Sequence, residues 1–157
     1  MNNVIQKHNS EAFKKMHKAG QLAADVLDYI TKYVKKGVST GYLDDLCHEY
    51  IIKNKAIPAP LNYRGFPKST CISVNHVVCH GIPGDKILDE GDILNIDVTV
   101  ILDGWYGDTS RMYFVGEPSK KAKFLTRITY ECLWLGIETV KPGSTTGDLG
   151  YGIQTPV

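Results

Sequence analysis

The chain has 157 residues, of which 43% are apolar, and its 18 lysines and arginines nearly balance 17 aspartates and glutamates, giving a net charge of +1. This length fits one domain or one large half of a bigger one, and without a basic stripe the sequence argues against nucleic-acid binding through charge. No apolar stretch is long enough to span a membrane and the N-terminus has no signal-peptide core, so we expect a cytoplasmic protein. The four cysteines lack CxxC spacing and are expected to be free thiols.

The first predicted elements are two helices. Apolar residues recur at steps of three and four between residues 10 and 36, which predicts a long helix with Ser10 as its N-cap and Gly37 as its stop. A second helix follows "VST" and carries its apolar side chains on one side. The stretch "AIPAPLNYRGFPK" then interrupts regular structure with three prolines and a glycine.

Strands are predicted beyond that loop. The segment "STCISVNHVVCHGIP" is expected to form short strands with a loop, with His80 following an apolar strand. The segment "NIDVTVILDGWYGDTS", residues 95–110, predicts two strands joined at Asp103-Gly104. A third helix is predicted to start near Ser119. Its apolar stripe consists of Phe124, Ile128, Cys132, Leu135 and Val140.

An internal repeat organises the chain. Residues 34–43 are "VKKGVSTGYL" and residues 140–149 are "VKPGSTTGDL", and each copy follows a long amphipathic helix. A common helix-turn-helix solution without duplication stays open as an explanation. If the duplication is real, we expect a single domain in residues 1–157 in which residues 10–117 form the first pseudo-repeat and residues 118–157 begin the second.

Two aspartates lie inside the predicted hairpin, although aspartate is a poor strand residue. A two-residue type I′ turn at Asp103-Gly104 would pair Thr99 with Asp108 and Asp97 with Ser110. Both carboxylates would then share one face, with their Cβ atoms roughly 7 Å apart. A solvated polar face, a metal-free acid–base pair and a metal site all remain open.

His80 is the candidate helper for this carboxylate pair. It precedes a Gly-Ile-Pro turn in "VVCHGIP", where a histidine could handle protons or donate to a substrate carbonyl. A structural or merely exposed histidine is the alternative at this position.

These stretches together resemble type I methionine aminopeptidases. The segments that carry the resemblance are "GFPKS" (65–69), "CISVNHVVCHGIP" (71–83), "GDILNIDVTVILDGWYGDTSRMYFVG" (91–116) and "VKPG" (140–143). The resemblance extends from about residue 10 to about residue 154.

The resemblance implies an α/β (α+β) pita-bread fold built from two related halves. In this chain the first helix-plus-antiparallel-sheet half would be complete and the second only begun. It also implies metal-dependent removal of the N-terminal methionine from nascent proteins when the next residue is small. A non-catalytic, partner-binding fragment of the same fold and a split protein with a separate second half are the alternatives.

The family's site holds two divalent metal ions (Co, Mn, Fe, Zn or Ni) on two aspartates, one histidine and two glutamates. The carried-over residues are Asp97 and Asp108 as metal ligands, His80 as the catalytic and substrate-contacting histidine, Tyr63, Phe66 and Cys71 as the methionine pocket, and the backbone of Asn75 and Val77 as a monovalent cation site.

This sequence also departs from the family pattern. A pocket cysteine of many bacterial members falls near Pro60, and the family's "GHGIG" motif is absent. The remaining metal ligands would lie beyond residue 157, so the resemblance implies weak or no metal binding and an inactive chain when alone. The implied partners are nascent chains at the ribosome, with a monomeric enzyme and neither a membrane nor a specific nucleic acid.

Overall fold

The computed structural model of the protein describes residues 5–155, which divide into two compact units that meet in sequence after Glu117. No helix in this described part is long and apolar enough to cross a membrane. The elements of the first unit are α1 (Ser10–Ile30), α2 (Thr40–Lys53), β1 (Ile57–Pro58), β2 (Cys71–Val74), β3 (Ile93–Leu102) and β4 (Trp105–Phe114), with 3-10 turns at Thr31–Tyr33 and Tyr63–Gly65. The second unit contains α3 (Lys120–Thr139) and α4 (Thr146–Gln154).

Helix α1 differs from its prediction at both ends. Its N-cap is Asn9, whose side chain accepts a hydrogen bond from the Ala12 N–H at 2.9 Å, and Ser10 is already helical. The α-helix ends at Ile30 and continues only as a 3-10 turn, so the predicted end at residue 36 is wrong. Gly37 takes a φ of +85° in the turn that follows, beyond the end of the helix.

Strand β3 is the centre of an antiparallel sheet. Strand β4 pairs with it along its whole length, and β1 and β2 pair with different parts of it. One face of β3 belongs to the core, because Leu94, Ile96, Val98 and Val100 are all fully buried. Helix α1 packs on this sheet and on α2, so the core lies between the helices and one face of the sheet.

The segment between β2 and β3 is less regular than predicted. Only Cys71–Val74 forms a strand, and the residues from Asn75 to the start of β3 are irregular apart from one bridge. His80 therefore does not follow a strand, and it takes a left-handed φ of 53°. The physical reason is that Asn75 also takes a positive φ, of 53°, which ends the extended conformation of β2 in a turn.

The two copies of the repeat adopt matching local structures. Helix α2 begins after the N-cap Ser39 and α4 begins after the N-cap Thr145, and each hydroxyl accepts from the backbone N–H three residues further on. Gly37 and Gly143, both at positive φ, precede these caps at the same spacing. That the pseudo-repeats arose by duplication stays a prediction.

The second unit buries little of its predicted apolar stripe. In α3, Cys132 is 4% exposed, whereas Phe124 is 58% and Leu135 is 41% exposed, and Val140 beyond its end is 73% exposed. The helix itself begins as predicted, with Ser119 as its N-cap. All four cysteines are free thiols, as expected.

Candidate metal centre and substrate cavity

The Asp103-Gly104 turn sets the register of the site. Asp103 and Gly104 have φ angles of 51° and 80°, and positive values at both central residues identify a type I′ turn. The predicted register is confirmed, since Thr99 lies opposite Asp108 and Asp97 lies opposite Ser110. Because side chains alternate along each strand, both carboxylates point to the face opposite the core.

The two carboxylates have different surroundings. Asp108 is exposed, and one of its carboxylate oxygens accepts a hydrogen bond from the Thr99 hydroxyl at 2.8 Å. Asp97 is half-buried, and no residue among 5–155 donates a hydrogen bond to it. Burial and the nearby Asp108 carboxylate raise the pKa of Asp97, and His80 acts in the opposite direction.

A glycine fixes the position of His80. The Ile72 N–H donates to the Gly81 carbonyl at 2.9 Å, and the Gly81 N–H donates to the Ser73 hydroxyl at 3.1 Å. A Cβ at Gly81 would overlap the Ile72 carbonyl, so only glycine allows this approach. The chain carrying His80 is thereby held against β2.

One open cavity of about 900 Å³ collects most of the predicted site residues. The volume lies within the range of small-molecule sites, roughly 300–1,000 Å³. The predicted residues that line it are Tyr63, Phe66, Cys71, His80, Asp97 and Asp108, together with Pro60 at the altered wall.

Cys71 lies directly opposite Asp97 in the β2–β3 pairing. Burial raises the pKa of its thiol to about 11, and the Asp97 carboxylate adds to the effect. Cys71 is therefore an uncharged thiol at neutral pH and suits a pocket for an apolar side chain.

Asn75 and Val77 do not line this cavity. The Asn75 side chain joins the irregular segment to β3, because its amide nitrogen donates to Asp92 at 2.7 Å and its amide oxygen accepts from the Ile93 N–H at 3.1 Å. The Val77 N–H donates to the Val74 carbonyl. The cation site at their backbone stays a prediction.

The carboxylate pair fits part of a metal site. A half-buried carboxylate without a hydrogen-bond donor, close to a second carboxylate, favours a cation between them. Nevertheless, residues 5–155 contain no group of three or more His, Cys, Asp or Glu side chains arranged to hold a metal ion. Two oxygen-ligand residues supply only part of the coordination that a transition metal requires.

The sequence reasoning missed several residues of the cavity. The strand pairing predicts Thr99 opposite Asp108 but does not predict the hydrogen bond of its hydroxyl to that carboxylate. Arg64 belongs to a proline-interrupted loop with no periodic signal. The other lining residues that the sequence does not predict are Ala59, Gly65, Pro67, Ile82 and Tyr106.

Helices pack on one face of an antiparallel sheet, and a cavity with two carboxylates at its floor lies on the other face, which defines an α/β protein with a candidate site on its sheet. The sequence profile described as metallopeptidase family M24 matches residues 14–157. The chain belongs to metallopeptidase family M24.

Curated and solved relatives support this assignment. The chain is 61% identical over 152 residues to a methionine aminopeptidase of Rickettsia prowazekii, covering 97% of this chain and 59% of that protein. It superimposes on the crystal structure of methionine aminopeptidase from the same organism with a TM-score of 0.95 at 60% identity, covering 98% of this chain and 62% of that one. For methionine aminopeptidase of Thermotoga maritima, the TM-score is 0.93 at 36% identity, with coverage of 98% and 62%.

These comparisons confirm the resemblance to methionine aminopeptidases and the expected pita-bread fold. The chain spans 59% of the length of the curated Rickettsia relative and 55% of that of Escherichia coli strain K12. The activity, substrates and partners of the whole relatives therefore come to this chain only as proposals.

Proposed function

We propose that this chain supplies the aspartate half of a dinuclear metal site that removes the N-terminal methionine from nascent proteins. The observation that carries the proposal is the convergence of Asp97, Asp108 and His80 on one cavity. Membership of a metallopeptidase family supports a divalent metal dependence, with Co, Mn, Fe, Zn or Ni as candidate ions. Such ions, when bound, supply Lewis-acid activation of water near neutral pH.

The metal-binding and catalytic roles would belong to different residues of this chain. Asp97 and Asp108 would hold the metal ions, and the Thr99 hydroxyl fixes one Asp108 oxygen so that the carboxylate keeps its orientation. His80 would donate a hydrogen bond to the substrate carbonyl oxygen, where negative charge develops in the transition state.

The walls of the cavity would select the first residue of the substrate. Tyr63, Phe66 and Cys71 line the cavity and offer aromatic and thiol surface to the methionine side chain. The backbone of Asn75 and Val77 would hold the monovalent cation next to this site.

We propose further that the 157-residue polypeptide binds divalent metal weakly and is inactive by itself. Support comes from the described residues, which offer no group of three metal-ligating side chains. The missing histidine and glutamate ligands would come from outside residues 5–155. For the complete enzyme, the proposed setting is the cytoplasm, where it would act as a monomer on nascent chains at the ribosome.

Complementation tests this function. The chain is assayed on a Met-Ala peptide with Mn²⁺ or Co²⁺, alone and after co-expression with the part of the Rickettsia relative that the match does not cover. We expect no turnover from the chain alone and methionine release from the pair. The Asp97→Asn variant of the pair should lose at least about 100-fold in rate. Replacing a charged metal ligand by a neutral one typically costs several kcal/mol of transition-state stabilisation.

Asp103→Asn is the matched control, since it removes a carboxylate from the same hairpin and an Asn-Gly turn keeps the register. Turnover by the chain alone would contradict the proposed inactivity. Undiminished turnover by the Asp97→Asn pair would contradict the assigned ligand. A pair that binds the peptide but never releases methionine would favour the non-catalytic binding alternative.

A further inference from the structure

Arg64 gives the cavity a positive charge that the proposed reaction does not use. It is the only lysine or arginine among the described residues that line the cavity, whose floor carries the Asp97 and Asp108 carboxylates. Within the described residues 5–155, no carboxylate forms an ion pair with Arg64. Its neighbour Lys68, by contrast, lies 3.9 Å from Asp44.

The loop that carries Arg64 is closed by backbone hydrogen bonds. The Asn62 N–H donates to the Phe66 carbonyl at 2.8 Å, and the Tyr63 N–H donates to the Pro60 carbonyl at 3.0 Å. Arg64 itself takes a left-handed conformation with a φ of 49°, which a non-glycine residue adopts at an energetic cost. The backbone therefore holds the Cα–Cβ bond of Arg64 in one defined direction.

The Tyr63 ring restricts the guanidinium further. The guanidinium carbon lies 5.5 Å from the centroid of that ring, within the range of a cation–π contact. A cation that is already oriented loses less entropy when it pairs with an anion than a freely rotating one does.

We propose that Arg64 is a specificity-determining residue that favours substrates with an acidic side chain close to their N-terminus. This inference rests on the proposed function, under which the N-terminal methionine of the substrate enters this cavity. The resemblance implies a small second substrate residue, and under that condition the third is the first that can carry a carboxylate. The Arg64 guanidinium lines the cavity wall and forms no ion pair with a described carboxylate, so it complements a negative charge on the substrate residue that lies beside it.

Peptide binding to the whole 157-residue chain tests this specificity without any turnover. The probes are the tetrapeptide amides Met-Ala-Glu-Ser and Met-Ala-Gln-Ser, followed by ligand-observed NMR with no metal added. We expect the glutamate peptide to bind about fivefold more tightly at low salt, the magnitude of an exposed ion pair. The preference should shrink as the ionic strength rises.

Variants at this position separate charge from shape. Arg64→Gln should equalise the two peptides, whereas Arg64→Lys should keep part of the preference because it keeps the charge. Lys53→Gln, which removes an exposed charge at the end of α2 away from the lining residues, should leave the ratio unchanged. Equal affinities in the parent chain, a preference that persists in Arg64→Gln, or no binding of either peptide to a folded chain would each overturn the proposal.

A third peptide distinguishes this proposal from the proposed function. Ser-Ala-Glu-Ser amide keeps the glutamate but lacks the N-terminal methionine. If it binds as well as Met-Ala-Glu-Ser while the glutamate preference stays, methionine recognition loses its support and the role of Arg64 stands. If methionine is preferred but glutamate is not, only the role of Arg64 fails.

Discussion

A single buried carboxylate holds the segment that enters β2. Asp44, on α2, is 3% exposed, and one of its oxygens accepts hydrogen bonds from the Thr70 N–H and the Thr70 hydroxyl, both at 2.8 Å. The Ser69 N–H also donates to it, at 3.1 Å, and the Ser69 hydroxyl lies 2.8 Å from a His48 ring nitrogen. Because Cys71 comes next in the chain, Asp44 positions one wall of the cavity.

Replacing Asp44 by asparagine should therefore destabilise the first unit by about 2–3 kcal/mol, because one buried acceptor becomes a donor that faces other donors. Urea unfolding followed by circular dichroism measures the change. Asp45→Asn is the control, since Asp45 is the exposed neighbour and should shift the free energy of unfolding by less than about 0.5 kcal/mol. Equal effects of the two variants would contradict the role given to Asp44.

For single residues, the sequence predicts positions that depend on neighbours in the chain but not contacts between residues far apart in the chain. Asp97 and Asp108 could be placed on one face because strand alternation and an Asp-Gly turn fix their register. Asp44 carried no comparable signal, since its partners lie 25 and 26 residues further along the chain. The orientation of Arg64 depends on loop hydrogen bonds, which have no period in the sequence.

Helix α1 approaches strand β4 closely at one point. Gly107 is buried, and a Cβ there would overlap the Ala19 carbonyl of α1. The glycine lets helix and strand touch through their backbones, which sets how closely the helix covers the sheet. Gly107 is also the residue just before Asp108, so this contact lies directly behind the site.

Gly107→Ala should destabilise the first unit by about 3 kcal/mol, because neither backbone can move without disturbing the core. Gly20→Ala is the matched variant, since Gly20 is in α1 next to Ala19 and an added Cβ there meets no atom within 4 Å. It should instead stabilise the protein by about 0.5–1 kcal/mol through helix propensity. Thermal and urea unfolding of both variants measure the two changes, and a neutral Gly107→Ala would refute the close approach.

The elements themselves followed from the sequence where periodicity was strong. Helix α3 and the hairpin of β3 and β4 lie where they were predicted. The predicted end of α1 lies too far along the chain. The periodic apolar pattern continues through the 3-10 turn Thr31–Tyr33, and periodicity alone does not distinguish such a turn from an α-helix. The strands expected around His80 were wrong, since apolar residues there lie in an exposed segment in which Val78 is 93% exposed.

For the molecule as a whole, the second unit leaves much apolar surface in water. Exposed fractions along α3 reach 57% for Leu125, 54% for Leu133 and 49% for Trp134. Large apolar side chains exposed along one helix promote association. The first unit, by contrast, contains most of the buried core.

We expect the 157-residue chain to self-associate, with a sedimentation coefficient that rises with concentration. The double variant Leu125→Lys, Leu133→Lys should weaken this association by about tenfold, since burying a leucine side chain is worth roughly 1.5–3 kcal/mol. Ile52→Lys changes a side chain of α2 that is 50% exposed and serves as the control. Concentration-independent sedimentation of the parent chain would contradict the expectation.

The hairpin has a consequence for the order in which the site forms. Asp97 and Asp108 belong to adjacent strands joined by a two-residue turn, so bringing them together closes only a short loop. Hairpins form in roughly 1–10 μs, whereas ribosomes add about 5–20 residues per second. During synthesis, the carboxylate floor can therefore close as soon as β4 emerges. The loop with Arg64 and the segment with His80 are synthesised earlier, but they can pack against the sheet only after β3 has formed.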